Sequence, residues 1–127
     1  MITLVFAEPP SKNRLYTPNK GGFTKAGKRI KRMRISDAYK AWIDESAVVC
    51  LGQRGVRDRI LGAYTVRLEA STKSRKDGDG MLVPVLDFLV KMRITPDDKL
   101  CRHSEAIKLD TILKGQCRVI VSPWVGK

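Results

Sequence analysis

One histidine, His103, and three widely separated cysteines leave this chain poor in soft metal ligands. No Cys-x-x-Cys pair occurs, so a zinc finger is excluded. Cys50, Cys101 and Cys117 read most simply as reduced core residues of a cytoplasmic protein. No apolar run approaches membrane length, and the opening Met1 to Phe6 is too short for a signal peptide. The expectation is a soluble protein with no membrane partner. Internal repeats, low-complexity tracts and an interdomain linker are also lacking. Residues 1–127 therefore read as a single domain, large enough to bury its own core.

Negative charge is scarce as well. Lys and Arg number 25 against 13 Asp and Glu, giving a net charge of +12. Such an excess favours a polyanionic partner, because each neutralised phosphate releases counterions. From Asn19 to Arg34 no acidic residue occurs at all, while Lys20, Lys25, Lys28, Arg29, Lys31, Arg32 and Arg34 crowd together. Gly21, Gly22 and Gly27 give this span the turn chemistry of a loop or loose hairpin. It reads as a nucleic-acid clamp, against the plainer alternative of a solvated charged loop.

Regular elements frame it. Ile2 to Ala7 is rich in β-branched and aromatic residues and predicts a strand, ended by Pro9 and Pro10. Ser36 suits a helix N-cap with Asp37 in the first turn, and Gly52 suits a position just past the end. Between them Tyr39, Trp42, Ile43, Ser46, Val49 and Cys50 share one helical face; Asp44 and Glu45 lie off it. Tyr64 to Ala70 alternates as a half-buried strand and leads into a second basic loop, Ser71 to Lys76. A second helix is expected from about Met81 to Met92, with Pro84 close to its start and Leu82, Val83, Leu86, Leu89 and Val90 facing the sheet. Asp87, mid-helix, is expected to be exposed or to give charge support at the helix start, the alternative being a place behind the acidic site. Arg102 to Leu109 and Cys117 to Ser122 close the chain as strands, the latter buried on both faces, after a turn at Lys114-Gly115-Gln116. The order predicts a mixed α/β (α+β) domain of about four strands in a mixed sheet with two main helices.

The scarce acids gather where chemistry can use them. Asp77 and Asp79 are two residues apart, and an extended chain would set both side chains on one face, roughly 6–7 Å apart. Asp97 and Asp98 follow after one helix and are expected to complete an oxygen-only pocket. Carboxylates without His or Cys suit Mg²⁺, or Mn²⁺. A calcium-binding EF-hand does not fit. Counted from Asp77, its fifth ligand falls on Met81 and its twelfth on Phe88. Taken alone, Asp77-Gly78-Asp79-Gly80 also reads as a tight polar turn.

Two motifs, in order, sharpen the reading. The early Pro9-Pro10-Ser11-Lys12-Asn13-Arg14-Leu15-Tyr16 and the later Asp77-x-Asp79…Asp87…Asp97-Asp98 resemble the RusA family of Holliday junction resolvases, over nearly the whole chain. The family pairs a Pro-Pro-Ser-x-Asn-Arg-x-Tyr element with Arg-x-Asp-x-Asp-Asn-x-x-Lys, then a helix and an Asp-Asp pair. The resemblance implies a homodimeric, Mg²⁺-dependent endonuclease that resolves four-way DNA junctions by paired nicks. It implies metal binding by Asp77, Asp79 and Asp98, with Asp97 beside them, and a basic residue at Arg75. Lys12, Arg14, Lys25, Lys28, Arg29, Lys31, Arg32, Lys73, Arg75 and Lys76 are the expected DNA contacts. Two positions depart: Gly80 replaces the usual Asn, and Val83 replaces the Lys that assists catalysis. Arg75, on the face of Asp77 in an extended chain, is the expected partial substitute. The alternatives are a weakly active or inactive branched-DNA-binding protein of the same fold and, less well matched, an RNA-binding accessory protein of the ribosome.

Overall fold

The computed structural model describes residues 1–11, 14–18, 33–53 and 59–125. Lys12 and the cations Lys20, Lys25, Lys28, Arg29, Lys31 and Arg32 lie outside the described residues. Strands β1 (Ile2–Ala7), β4 (Tyr64–Ser71), β5 (Cys101–Leu109) and β6 (Gln116–Pro123) form one sheet in the order β1-β6-β4-β5. Strand β6 runs antiparallel to both β1 and β4, whereas β5 runs parallel to β4. Short strands β2 (Tyr16–Pro18) and β3 (Met33–Ile35) pair antiparallel in a separate ribbon; the loop or loose hairpin expected from Asn19 to Arg34 lies almost wholly outside the described residues. Helices α1 (Asp37–Gln53) and α2 (Gly78–Lys91) complete the mixed α/β architecture. Among the described residues no helix is long and apolar enough to cross a membrane.

Strand alternation gives the sheet two unlike faces. Leu4, Val119 and Leu68 stand in register on one of them, as do Phe6, Cys117 and Ala70, and all six are buried. Trp42 of α1 and Phe88 of α2 meet Phe6 of β1 there, with ring centroids 5.3–5.9 Å apart. This aromatic triangle joins sheet and both helices; truncating Trp42 would cost about 3–5 kcal/mol. The other face carries Arg67, Glu69, Glu105 and Arg118. Glu69 is only 5% exposed because Arg67 and Arg118 both direct Nε at its carboxylate. That arrangement also corrects the expectation for β6: Cys117, Val119 and Val121 are buried, but Arg118, Ile120 and Ser122 on its second face are only partly covered.

Ser36 caps α1 as expected, its Oγ accepting from Tyr39 N–H at 3.1 Å. Its hydroxyl donates to the Arg14 carbonyl and its N–H to Leu15 O, so the cap also holds the early motif against the helix. The helix continues through Gly52 to Gln53, whose side-chain amide reaches back to β1. Tyr39, Trp42, Ser46 and Cys50 are buried as anticipated, while Val49 faces solvent.

Helix α2 differs most from expectation. It begins at Gly78, three residues early, because Asp77 caps it. Pro84 therefore lies inside the helix, where it leaves the Gly80 carbonyl without its i+4 donor. The buried face comprises Met81, Leu82, Pro84, Val85, Phe88 and Leu89, whereas Val83 is 56% exposed. Arg93, with φ 56°, turns the chain out of the helix.

Candidate nucleic-acid and metal site

The two sequence motifs, more than sixty residues apart, meet in space. A cleft of about 620 Å³ opens between α1 and the start of α2. Pro10, Ser11 and Arg14 line it from one side and Arg75, Lys76 and Asp77 from the other, with Trp42 and Glu45 of α1 between them. The Lys76 ammonium fastens the halves together: Nζ donates to the Pro9 carbonyl at 2.9 Å and pairs with Glu8 at 3.3 Å. Lys76, expected as a DNA contact, thus has its charge turned toward a partly buried carboxylate. Glu8 was not anticipated; its position directly before Pro9-Pro10 was the available signal. Arg14 and Arg75 stay exposed at the cleft, and Lys73 is exposed on the loop before it.

Serines shape the second basic loop. Ser71 Oγ accepts from Lys73 N–H, and Ser74 Oγ from Lys76 N–H. Lys108 of β5 donates to the Ser74 carbonyl at 2.9 Å and braces the loop from below. The turn thus delivers Asp77 to the head of α2 in extended backbone, φ −69° and ψ 126°.

Asp77 and Asp79 do not converge as two residues of an extended strand. Asp77 is the N-cap, its Oδ1 accepting from Asp79 N–H at 3.3 Å, and Asp79 is already helical. Both carboxylates are exposed, and negative charge suits this end of the helix dipole. Only Asp77 lines the cleft. Asp79 stands four residues before Val83 and eight before Asp87, so the three share one helical face. A lysine at position 83 would therefore sit one turn from Asp79.

Asp97 repeats the same device. Its Oδ1 accepts from Lys99 N–H at 3.1 Å and caps the short 3₁₀ turn Asp98–Leu100 ahead of β5. Tyr64, buried in the core, donates its hydroxyl to the Asp97 carbonyl at 3.0 Å and fixes the turn to β4. The neighbouring Asp97 and Asp98 carboxyls influence each other's ionisation. Asp97, held by the Lys99 N–H, is drawn below the usual carboxylate range, while Asp98, beside Asp97, is pushed above it. The half-buried Asp87 adds a smaller upward push on Asp98. Burial and then Asp87 push the Tyr39 hydroxyl up to about 12.

Carboxylate oxygens suit a hard cation in kind. In number they fall short within one chain: among the described residues no three of His, Cys, Asp or Glu gather as a metal site. The expected four-aspartate pocket is divided into two pairs. The fold and cleft define a small mixed α/β protein with a groove lined by both cations and carboxylates. No protein-family model and no curated protein matches the chain.

Proposed function

We propose that the protein is a metal-dependent, structure-selective endodeoxyribonuclease that acts on four-way DNA junctions and resembles the RusA resolvases. The observation that carries the reading is the meeting of the Pro9–Arg14 element with Arg75–Asp77 in one cleft, joined through Lys76. Two segments that matter only together in the resemblance are neighbours in the fold.

Arg14 and Arg75 are the described side chains best placed to bind phosphate at this cleft, and Lys73 extends the positive edge. The expected contacts at Lys25, Lys28, Arg29, Lys31 and Arg32 would add sequence-independent affinity. Asp77, Asp79 and Asp98, with Asp97, would hold Mg²⁺ or Mn²⁺, which in such nucleases polarises phosphate and generates hydroxide. Arg75, beside Asp77, would stabilise charge on the nonbridging oxygens in place of the family lysine. Paired nicks in opposed strands call for a homodimer acting on the branched DNA.

The test is cleavage of a synthetic mobile four-way junction with and without Mg²⁺, beside gel-shift measurement of binding. Symmetric nicks that require the metal and vanish in Asp79→Asn are expected. Tight junction binding with no nicks in either metal would instead support a binding-only protein, the reading favoured by the exposed apolar Val83.

A further inference from the structure

Tyr16 ends the Pro9–Tyr16 element but does not line the cleft. The backbone around it is pinned. Leu15 is buried and its carbonyl accepts from Ser36 N–H at 2.9 Å, while the Arg14 carbonyl accepts from the Ser36 hydroxyl. Tyr16 itself pairs with Ile35 in the β2–β3 ribbon. With Leu15 turned into the core, Arg14 and Tyr16 on either side of it stand at the surface.

An aromatic side chain on so firm a backbone is ordinarily covered, yet Tyr16 is 48% exposed. Below it lies Tyr39, only 2% exposed, whose ring stands perpendicular to that of Tyr16 with centroids 6.3 Å apart. Such a contact covers at most one face of the Tyr16 ring. Tyr39 is itself fixed, packed against Trp42 at 6.1 Å, with the Lys91 ammonium 5.7 Å from its ring centre. The exposed ring is therefore supported on one side and flanked by two exposed cations, Arg14 along the chain and Lys91 beyond Tyr39. Asp87 also acts on Tyr39, but it is half-buried where both cations are exposed.

We infer that Tyr16 is a stacking platform for one unpaired nucleobase of DNA, with a phosphate beside that base held at Arg14. The inference rests on the cleft being a DNA site, as proposed above, and not on nicking. Inside an intact duplex both faces of every base are covered by its neighbours, so a protein ring can stack only on a base freed from them. A π-face accepts any base, and a cation beside it takes the backbone; together they suit unpaired DNA of any sequence. A ring already held in place loses little freedom when a base settles on it, so most of the contact appears as affinity. Tyr16 would thus supply selectivity for interrupted or branched structure from outside the cleft that holds the carboxylates.

Two probes decide it: a labelled duplex with a short single-stranded thymidine gap, and the same duplex intact. Anisotropy titrations in EDTA, where metal-dependent nicking is blocked, measure binding to each. Wild type should prefer the gapped probe. Tyr16→Ala should weaken gapped binding by about 5- to 150-fold and abolish the preference, whereas Tyr16→Phe should keep it. Salt separates the two residues: Tyr16→Ala should leave the log–log slope unchanged, while Arg14→Ala should flatten it by about 0.7–0.9. Equal binding of both probes by wild type overturns the inference and leaves the cleft as a DNA site. So does an equal loss on both probes in Tyr16→Ala, or a loss as large in Tyr16→Phe. Wild type that binds neither probe overturns the inference and the DNA reading together. Should Tyr16→Ala fail to fold, wild type answers alone. With 5-iodouracil in the gap, a photocrosslink mapped by mass spectrometry to Tyr16 supports the platform, and crosslinks confined to other residues overturn it.

Discussion

The two aspartate-capped turns that flank α2, one at its head and one ahead of β5, are built alike and furnished differently. At each, an aspartate in extended backbone caps the following turn through an N–H two residues on, Asp77 with Asp79 and Asp97 with Lys99. Around Asp77 stand Arg14, Arg75 and a cleft roomy enough for a phosphate and its flanking sugar. Around Asp98 stand Asp97 and Asp87, and beside Asp97 the Asp98 carboxyl is pushed above the usual carboxylate range. The same kind of capping bond thus serves a turn flanked by cations and a turn crowded with carboxylates.

Removing charge without removing the cap gives the largest expected effect. Asp77→Asn keeps an N-cap of equal quality, so the fold should be unchanged. Cleavage should nevertheless fall on the order of 10²–10³-fold, the usual scale for losing one electrostatic stabiliser. Junction binding should hold or tighten, because a carboxylate near phosphate is gone. A variant that nicks at the wild-type rate would remove Asp77 from the site.

Next in size is Val83→Lys. The side chain is exposed on the face of Asp79, so the change needs no repacking. A cation placed there should raise the cleavage rate about tenfold or more without tightening binding. Single-turnover rates on one junction would measure it. Arg75→Ala should lower the rate several-fold and weaken binding modestly; an unaltered Arg75→Ala with an inert Val83→Lys would move the protein to the binding-only class. Replacing Lys28, Arg29, Lys31 and Arg32 with alanine should flatten the log–log salt dependence by up to about 0.9 per lost phosphate contact.

The smallest effect sharpens the comparison at the other end. Asp97→Ala removes a cap and should cost about 1 kcal/mol in urea unfolding, whereas Asp97→Asn should cost a few tenths at most. Equal losses would show that the cap at Asp97 is not what matters.

Much of this fold was legible because its signals are local. Ser36 ahead of Asp37 announced α1, and the alternation from Tyr64 to Ala70 announced β4. Helix α2 was less legible for two physical reasons. Asp77-Gly78-Asp79-Gly80 has the composition of a turn, and only the capping bond overrides the glycines. The run from Met81 to Val90 is apolar at every position except Asp87, so hydrophobic periodicity could not fix which side faces the core. The charges could have done so. Asp79, Asp87 and Lys91 fall on a spacing of four with Val83 between them, which marks the outer face. The parting of the aspartate pairs followed from β4 and β5 being parallel, a pairing no short segment encodes.

The Gln53 clamp on Val5 has a consequence for how far association can go. Edge-to-edge pairing is open-ended in principle: a sheet with two free margins adds copies indefinitely and becomes a fibre. Here one margin is already spoken for by the chain's own amide. Were copies to pair through the other margin, growth would end after a single addition, in an isologous pair with no margin left over. The limit on such growth would be set at the margin opposite the one that pairs.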